Sequence, residues 1–100
     1  MELVDNKTYV YILTNQHGNV MYVGCTDDLK KRMYFHKNRL IEGFTKKYNV
    51  HKLVYFEAHD RPDLAYTREV QVKKYRREKK DHLVDKMNPK WIDLSIDLCK

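Results

Sequence analysis

Cysteine is scarce in this chain: Cys25 and Cys99 are the only two, and they form neither a disulfide framework nor a closely spaced metal-binding pair. Free thiols in a reducing compartment are the expectation. No apolar run approaches the ~20 residues of a membrane span, and the start Met-Glu-Leu-Val-Asp-Asn lacks the basic-then-apolar layout of a secretion signal. A cytoplasmic protein with no membrane partner is expected. Linkers, internal repeats and low-complexity tracts are absent as well, so the 100 residues are read as one domain, 1–100, with a single core.

Charge is not scarce. Lysine and arginine number 20 against 14 acids, for a net +6, and the excess is concentrated. Residues 30–52 carry Lys30, Lys31, Arg32, Lys37, Arg39, Lys46, Lys47 and Lys52 against Glu42, a local +7, whereas residues 1–29 sum to −3. A clustered basic zone is the electrostatic footprint of a nucleic-acid binder; a solvated basic helix is its plain alternative.

Hydrophobic periodicity outlines the elements. Thr8 to Thr14 is β-branched and aromatic, ends at Asn-Gln-His-Gly-Asn, and is followed by Val20-Met21-Tyr22-Val23-Gly24, which predicts a β-hairpin around Gly18. A period of two puts Val10, Ile12, Met21 and Val23 on one face, the core, and Tyr9, Tyr11 and Tyr22 on the other, a phenolic face. Thr26-Asp27-Asp28 supplies an N-cap and first-turn acids for a helix reaching Asn38 to Leu40, with Leu29, Met33 and Leu40 as its apolar stripe. Residues 41–51 read as a short helix or loop, and Leu53 to Ala58 as a third strand. Asp60 is expected to cap a long helix from Pro62 to about Arg77. A shorter helix over Glu78 to Lys86 should end near Asn88-Pro89, and the apolar tail from Trp91 to Leu98 should pack back. The fold class is α+β: a small three-stranded antiparallel sheet flanked by helices, in the order β-β-α-(α)-β-α-α.

Four kinds of side chain stand out within that frame. Arg32 and His36 are four residues apart and share a helix face beside Leu29 and Met33; the plain alternative is a solvated arginine and an ordinary surface histidine. Ala65, Glu69 and Val72 form one row of a later helix, so a carboxylate interrupts a core-facing stripe. It needs a partner, either a structural arginine or a metal or catalytic role, because an unpaired buried carboxylate is costly. Tyr11 and Tyr22 are read first as packing residues whose hydroxyls find partners.

The order Tyr9-Val10-Tyr11, ten residues, Tyr22-Val23-Gly24, then Arg32, His36, Glu69 and Asn88, resembles the GIY-YIG nuclease domain. The match spans nearly the whole chain. It is closest to the small stand-alone GIY-YIG proteins of bacteria in Phe44-Thr45-Lys46-Lys47-Tyr48, Leu53-Val54-Tyr55-Phe56-Glu57 and Met87-Asn88-Pro89-Lys90-Trp91. The resemblance implies an endonuclease that hydrolyses DNA phosphodiester bonds, in repair or recombination. Tyr11 and Tyr22 would be its paired phenols, Arg32 its phosphate-binding cation, His36 the position filled by histidine or tyrosine, Glu69 the ligand of one Mg²⁺ or Mn²⁺, and Asn88 a supporting residue of the last motif. DNA is the implied partner, with RNA, a protein partner or self-association left open.

The chemistry suits those roles. Mg²⁺ keeps most of its waters and takes remaining ligands from phosphate, so one carboxylate suffices. Arginine carries a fixed charge to phosphate oxygens. Tyr11 and His36 are the two candidates for taking the water's proton. Lys30, Lys31, Lys37, Arg39, Lys46 and Lys47 are expected to form a phosphate-contacting rim. All five catalytic candidates should line one concave patch.

Two departures from the family pattern matter. Tyr9 stands where the first motif has glycine, a change of strand packing more than of chemistry. Cys25 stands where the repair enzymes have lysine after the second motif's glycine, so whatever that lysine contributes to phosphate binding or to phenol acidity is missing or supplied elsewhere. A nucleic-acid binding module of the same fold with little or no catalysis is therefore the alternative function.

Overall fold

The computed structural model describes residues 6–38, 40 and 43–98. Strands β1 (Thr8–Thr14) and β2 (Met21–Thr26) are followed by helices α1 (Leu29–Lys37) and α2 (Phe44–Lys47). Strand β3 (Lys52–His59) then leads to α3 (Pro62–Lys73), α4 (Arg77–Met87) and α5 (Ser95–Leu98). The three strands form one antiparallel sheet in the order β2-β1-β3, so the expected α+β class and element order are borne out. Arg39 and Cys99 lie outside the described residues.

The hairpin forms where its turn residues dictate. Gly18 sits at φ 73°, in the left-handed region open to glycine. Asn15 Oδ1 accepts the N–H groups of Asn19 and Val20, which holds the loop closed. Pairing sets Ile12 opposite Val23 and Tyr11 opposite Gly24.

Alternation along β1 is as expected, but its consequence is not. Val10, Ile12 and Val23 pack with Val54, Ala65, Val72 and Val84 under α3 and α4. Tyr9, Tyr11 and Leu13 pack with Leu29, Met33, Leu53, Leu94 and Leu98 under α1 and the C-terminal segment. The phenolic face is thus a second core and not an open surface. The reason is the length of apolar chain available: α1 and α5 supply enough side chains to cover the face that strand periodicity alone left bare.

Helix ends show which local signals win. Asp28 caps α1 by accepting the Lys31 N–H, and Thr26 Oγ1 accepts the Asp28 N–H; the acids precede the helix, and none lies in its first turn. Helix α1 ends at Lys37, so Leu40 falls beyond it and is exposed, leaving Leu29 and Met33 as the stripe. Asp60 does not cap α3. Arg61 occupies the cap position without a side-chain capping bond, its guanidinium pairing with Asp63 instead, Pro62 opens the helix, and Asp60 pairs with Lys7. That pairing draws the Asp60 carboxylate away from the helix end, which proline, lacking an N–H, leaves with one fewer group to satisfy. The long helix also stops at Lys73, and α4 starts afresh at Arg77, whose guanidinium pairs with Asp81 and donates to the carbonyls of Gly18 and Asn19.

Candidate active site

Strand β1 is central and β2 lies at the sheet edge, so side chains of β2 and of the helices beside it meet at one margin of the molecule. Gly24 makes the first contact possible. A Cβ built on it would stand 2.5 Å from both Cζ and the hydroxyl oxygen of Tyr11, so only glycine lets the phenol lie across β2. Tyr11 is fully buried there. Its hydroxyl is 3.3 Å from His36 Nε2, at the C-terminal end of α1.

Tyr22 completes a three-ring cluster. Its centroid is 6.3 Å from Tyr11 and 5.8 Å from His36, and the Tyr11 and His36 rings meet edge to face at 6.0 Å. Tyr22 is half-buried while Tyr11 and His36 are enclosed, so the cluster presents Tyr22 outward and holds the other two behind it. The expectation that every candidate lines one concave surface therefore needs correcting: two of them are roofed over by the second core.

Burial governs the protonation of that pair. It pushes the Tyr11 phenol well above its ordinary range; the neighbouring Tyr22, Glu69 and Cys25 add to the rise, and Arg32 opposes it. It pushes His36 down to about 4, with the Arg32 charge one turn away acting in the same direction. The imidazole is neutral at neutral pH, and among the described residues its buried Nδ1 has no hydrogen-bond partner.

Arg32 and Glu69 approach from opposite sides of the sheet. Arg32, half-buried on α1, lines a 210 Å³ groove with Thr8, Cys25, Asp27 and, from α3, Pro62 and Tyr66. Glu69 descends from α3 on the same row as the buried Ala65 and Val72, and its side chain is only 16% exposed. Its partner is not a structural arginine. Lys73, one turn on, places its ammonium 3.2 Å from the carboxylate. Arg32, Glu69 and Lys73 all act on the Cys25 thiol, which burial holds above its ordinary range. Position 25 is thus where the two approaches converge.

The remaining expected residues divide. Lys30 is exposed on α1, Lys31 lies 5.8 Å over the Phe35 ring, and Lys46 and Lys47 belong to α2, with Lys47 over Tyr48. Lys37 pairs with Asp93 and donates to the His51 carbonyl, which ties α1 to the C-terminal segment. Asn88 lies beyond the far edge of the sheet, where it donates to the carbonyls of Val54 and Ile92 and accepts the Ile92 N–H, clamping α4 to β3. Periodicity singled out neither Lys73 nor Lys80, which line a second groove beside Tyr22; the spacing of Glu69 and Lys73 is the one signal that pointed there. Among the described residues, no three His, Cys, Asp or Glu side chains are grouped to hold a metal ion.

A small α+β sheet whose adjacent strands each give a tyrosine to a helix-borne histidine, arginine and glutamate is a narrow class of architecture. The model of the GIY-YIG catalytic domain matches residues 7–82, and the chain belongs to that family. It is 34% identical over 79 residues to a UPF0213 protein of Staphylococcus saprophyticus, a match covering 79% of this chain and 95% of the relative. It is 37% identical over 76 residues to a UPF0213 protein of Clostridium perfringens, covering 76% of this chain and 81% of that one. The solution structure of a UPF0213 protein from Bacillus halodurans superimposes with a TM-score of 0.54 at 29% identity, over 85% of this chain and 89% of its own. The resemblance read from the tyrosine motifs is borne out, and the fold is of the nuclease type, the family being in general one of endonucleases.

Proposed function

We propose that this protein is a metal-dependent endonuclease that hydrolyses DNA phosphodiester bonds at the β2 margin. The observation that carries the reading is the convergence of Arg32, Glu69 and the Tyr11–Tyr22–His36 cluster on Gly24 and Cys25. Glu69 is the acid whose charge reaches both Tyr11 and Cys25. One carboxylate suits Mg²⁺ or Mn²⁺ when phosphate and water complete the shell. Such an ion, when bound, supplies Lewis-acid compensation for charge on the phosphate and the departing oxygen.

The chain's own groups do the rest. Arg32 binds and orients the scissile phosphate through its planar fork of donors. Tyr22, the outward phenol, positions the attacking water. Burial keeps Tyr11 protonated and His36 neutral, so the enclosed pair is not itself the base; it backs the Tyr22 ring and holds it in place. Water passes its proton through the outward Tyr22 hydroxyl to solvent, its oxygen forms the bond to phosphorus, and the ester oxygen leaves and takes up a proton from solvent.

Supercoiled and branched DNA incubated with the purified protein and Mg²⁺ or Mn²⁺ provides the test. Cleavage by the wild type, abolished in Glu69→Ala, is expected. No turnover with any metal or substrate, together with retained DNA binding, would replace this reading with the binding-module one. The Lys73 pairing of Glu69 and the enclosure of Tyr11 are the observations that favour that alternative.

A further inference from the structure

The ring cluster does not stop at Tyr22. The Phe44 ring stacks on Tyr22 at 6.3 Å and 26°, and Tyr48 follows at 4.8 Å, so an aromatic path runs from the buried Tyr11 out to α2. Both outer rings are large apolar groups left in solvent, Phe44 46% and Tyr48 43% exposed. Beside them is an open groove of about 320 Å³ lined by Met21, Tyr22, Val23, Phe44, Lys73 and Lys80. Every charged residue lining it is a cation, and Lys47 lies 5.4 Å over the Tyr48 ring.

We propose that this groove is a base-stacking subsite that takes an unpaired nucleotide next to the scissile phosphate, which makes single-stranded segments of DNA the substrate class. An aromatic face rimmed by ammonium groups matches a nucleotide twice over, the ring against the base and the cations against the backbone. An apolar peptide would satisfy the rings and leave Lys80 unmatched, Lys73 being already paired with Glu69. Pairing state follows from geometry. A base inside a duplex has neighbours on both faces and shows only its edges in the grooves, so its π-face is available to Phe44 and Tyr48 only when it is unpaired or swung out. Because Tyr22 belongs both to this groove and to the Tyr11–His36 cluster, a base seated on Phe44 brings its own phosphate to the candidate site.

The inference rests on the endonuclease reading for its purpose, but its test does not require cleavage. Wild-type protein in EDTA is titrated into a fluorescein-labelled oligothymidylate and, separately, into a mixed-sequence duplex of equal length. An oligothymidylate carrying one 2-aminopurine reports stacking directly. Tighter binding to the single strand is expected, with quenching of the 2-aminopurine. Phe44→Ala and Tyr48→Ala should each weaken single-strand binding about 5- to 100-fold, the worth of one stacked base, and leave duplex binding nearly unchanged. Phe44→Trp and Tyr48→Phe should retain the preference, and unchanged circular dichroism in the alanine variants separates lost stacking from lost folding. Equal affinity for duplex and single strand, absence of quenching, or equal weakening of both ligands by the alanine changes would overturn the proposal. A failed cleavage assay would count against the endonuclease reading and leave these binding results standing.

Discussion

Tyr11 occupies the space that a side chain at position 24 would need: the two residues are paired across β1 and β2, and a Cβ on Gly24 would overlap both Cζ and the hydroxyl oxygen. The glycine of the second motif is therefore a packing requirement, imposed by the phenol of the first. Gly24→Ala is expected to cost about 1–3 kcal/mol, the usual range for overpacking, and to displace Tyr11 from His36. Urea denaturation measures the first effect; loss of turnover in the surviving folded protein reports the second.

His36 gives the stability a defined pH dependence. Its folded value, about 4, lies below the ordinary 6.5, so between those values the unfolded chain takes up a proton that the folded chain refuses. The stabilisation is complete above about pH 6.5 and is lost as pH falls towards 4, by an amount on the order of 2 kcal/mol after allowance for solvent screening. Other acids contribute to acid unfolding, so the informative quantity is a difference. His36→Gln should lose less stability than the wild type between neutral pH and the acid limb, and parallel denaturant series would show it.

Lys73 competes with any cation for the Glu69 carboxylate. The lysine is half-exposed, so its removal should change stability by less than about 1 kcal/mol. Lys73→Met is expected to raise Mn²⁺ affinity a few-fold, read by isothermal titration, because the Glu69 carboxylate then loses its Lys73 counter-ion. Unchanged Mn²⁺ binding would remove Glu69 from consideration as the metal ligand.

A second carboxylate provides the control. Glu57, on β3, accepts from Tyr55, His59 and Arg68, and Arg68 also donates to Tyr75 and Gln71. Burial alone would raise the Glu57 carboxyl, but these three donors outweigh it and hold it below its ordinary value. Arg68→Ala removes the ion pair between α3 and β3 and should cost about 2 kcal/mol, less than a fully buried pair because both groups retain some solvent contact. The network lies at the opposite sheet edge from the candidate site. Turnover per folded molecule should therefore stay at the wild-type level, in contrast to Glu69→Ala.

Much of the architecture was legible because it depends on neighbours in sequence. The Gly18 turn, the alternation along β1, the Asp28 cap and the opening of α3 at Pro62 all follow from local backbone chemistry and periodicity. The candidate residues were legible through the spacing of the two tyrosine motifs and the interruption of an apolar row by Glu69. What failed depended on distant partners. Asp60 has the chemistry of a cap, yet Lys7 takes it; Leu40 has the spacing of a core residue, yet its helix has already ended. Sequence likewise carried no sign of the partners of Lys37, which Asp93 and the His51 carbonyl engage from far along the chain.

By itself, the order of residues determined which side chains share a face: Tyr9 with Tyr11, Val10 with Ile12, Arg32 with His36, Ala65 with Glu69 and Val72. Only the tertiary structure decided what covers each face and which faces meet. It enclosed Tyr11 and His36 under a second core, brought Glu69 round the sheet margin to the surroundings of Cys25, and set Phe44 against Tyr22. Periodicity is a property of one element, whereas burial, ion pairing and shifted protonation arise between elements joined by long stretches of chain, and packing the whole chain chooses among those partners.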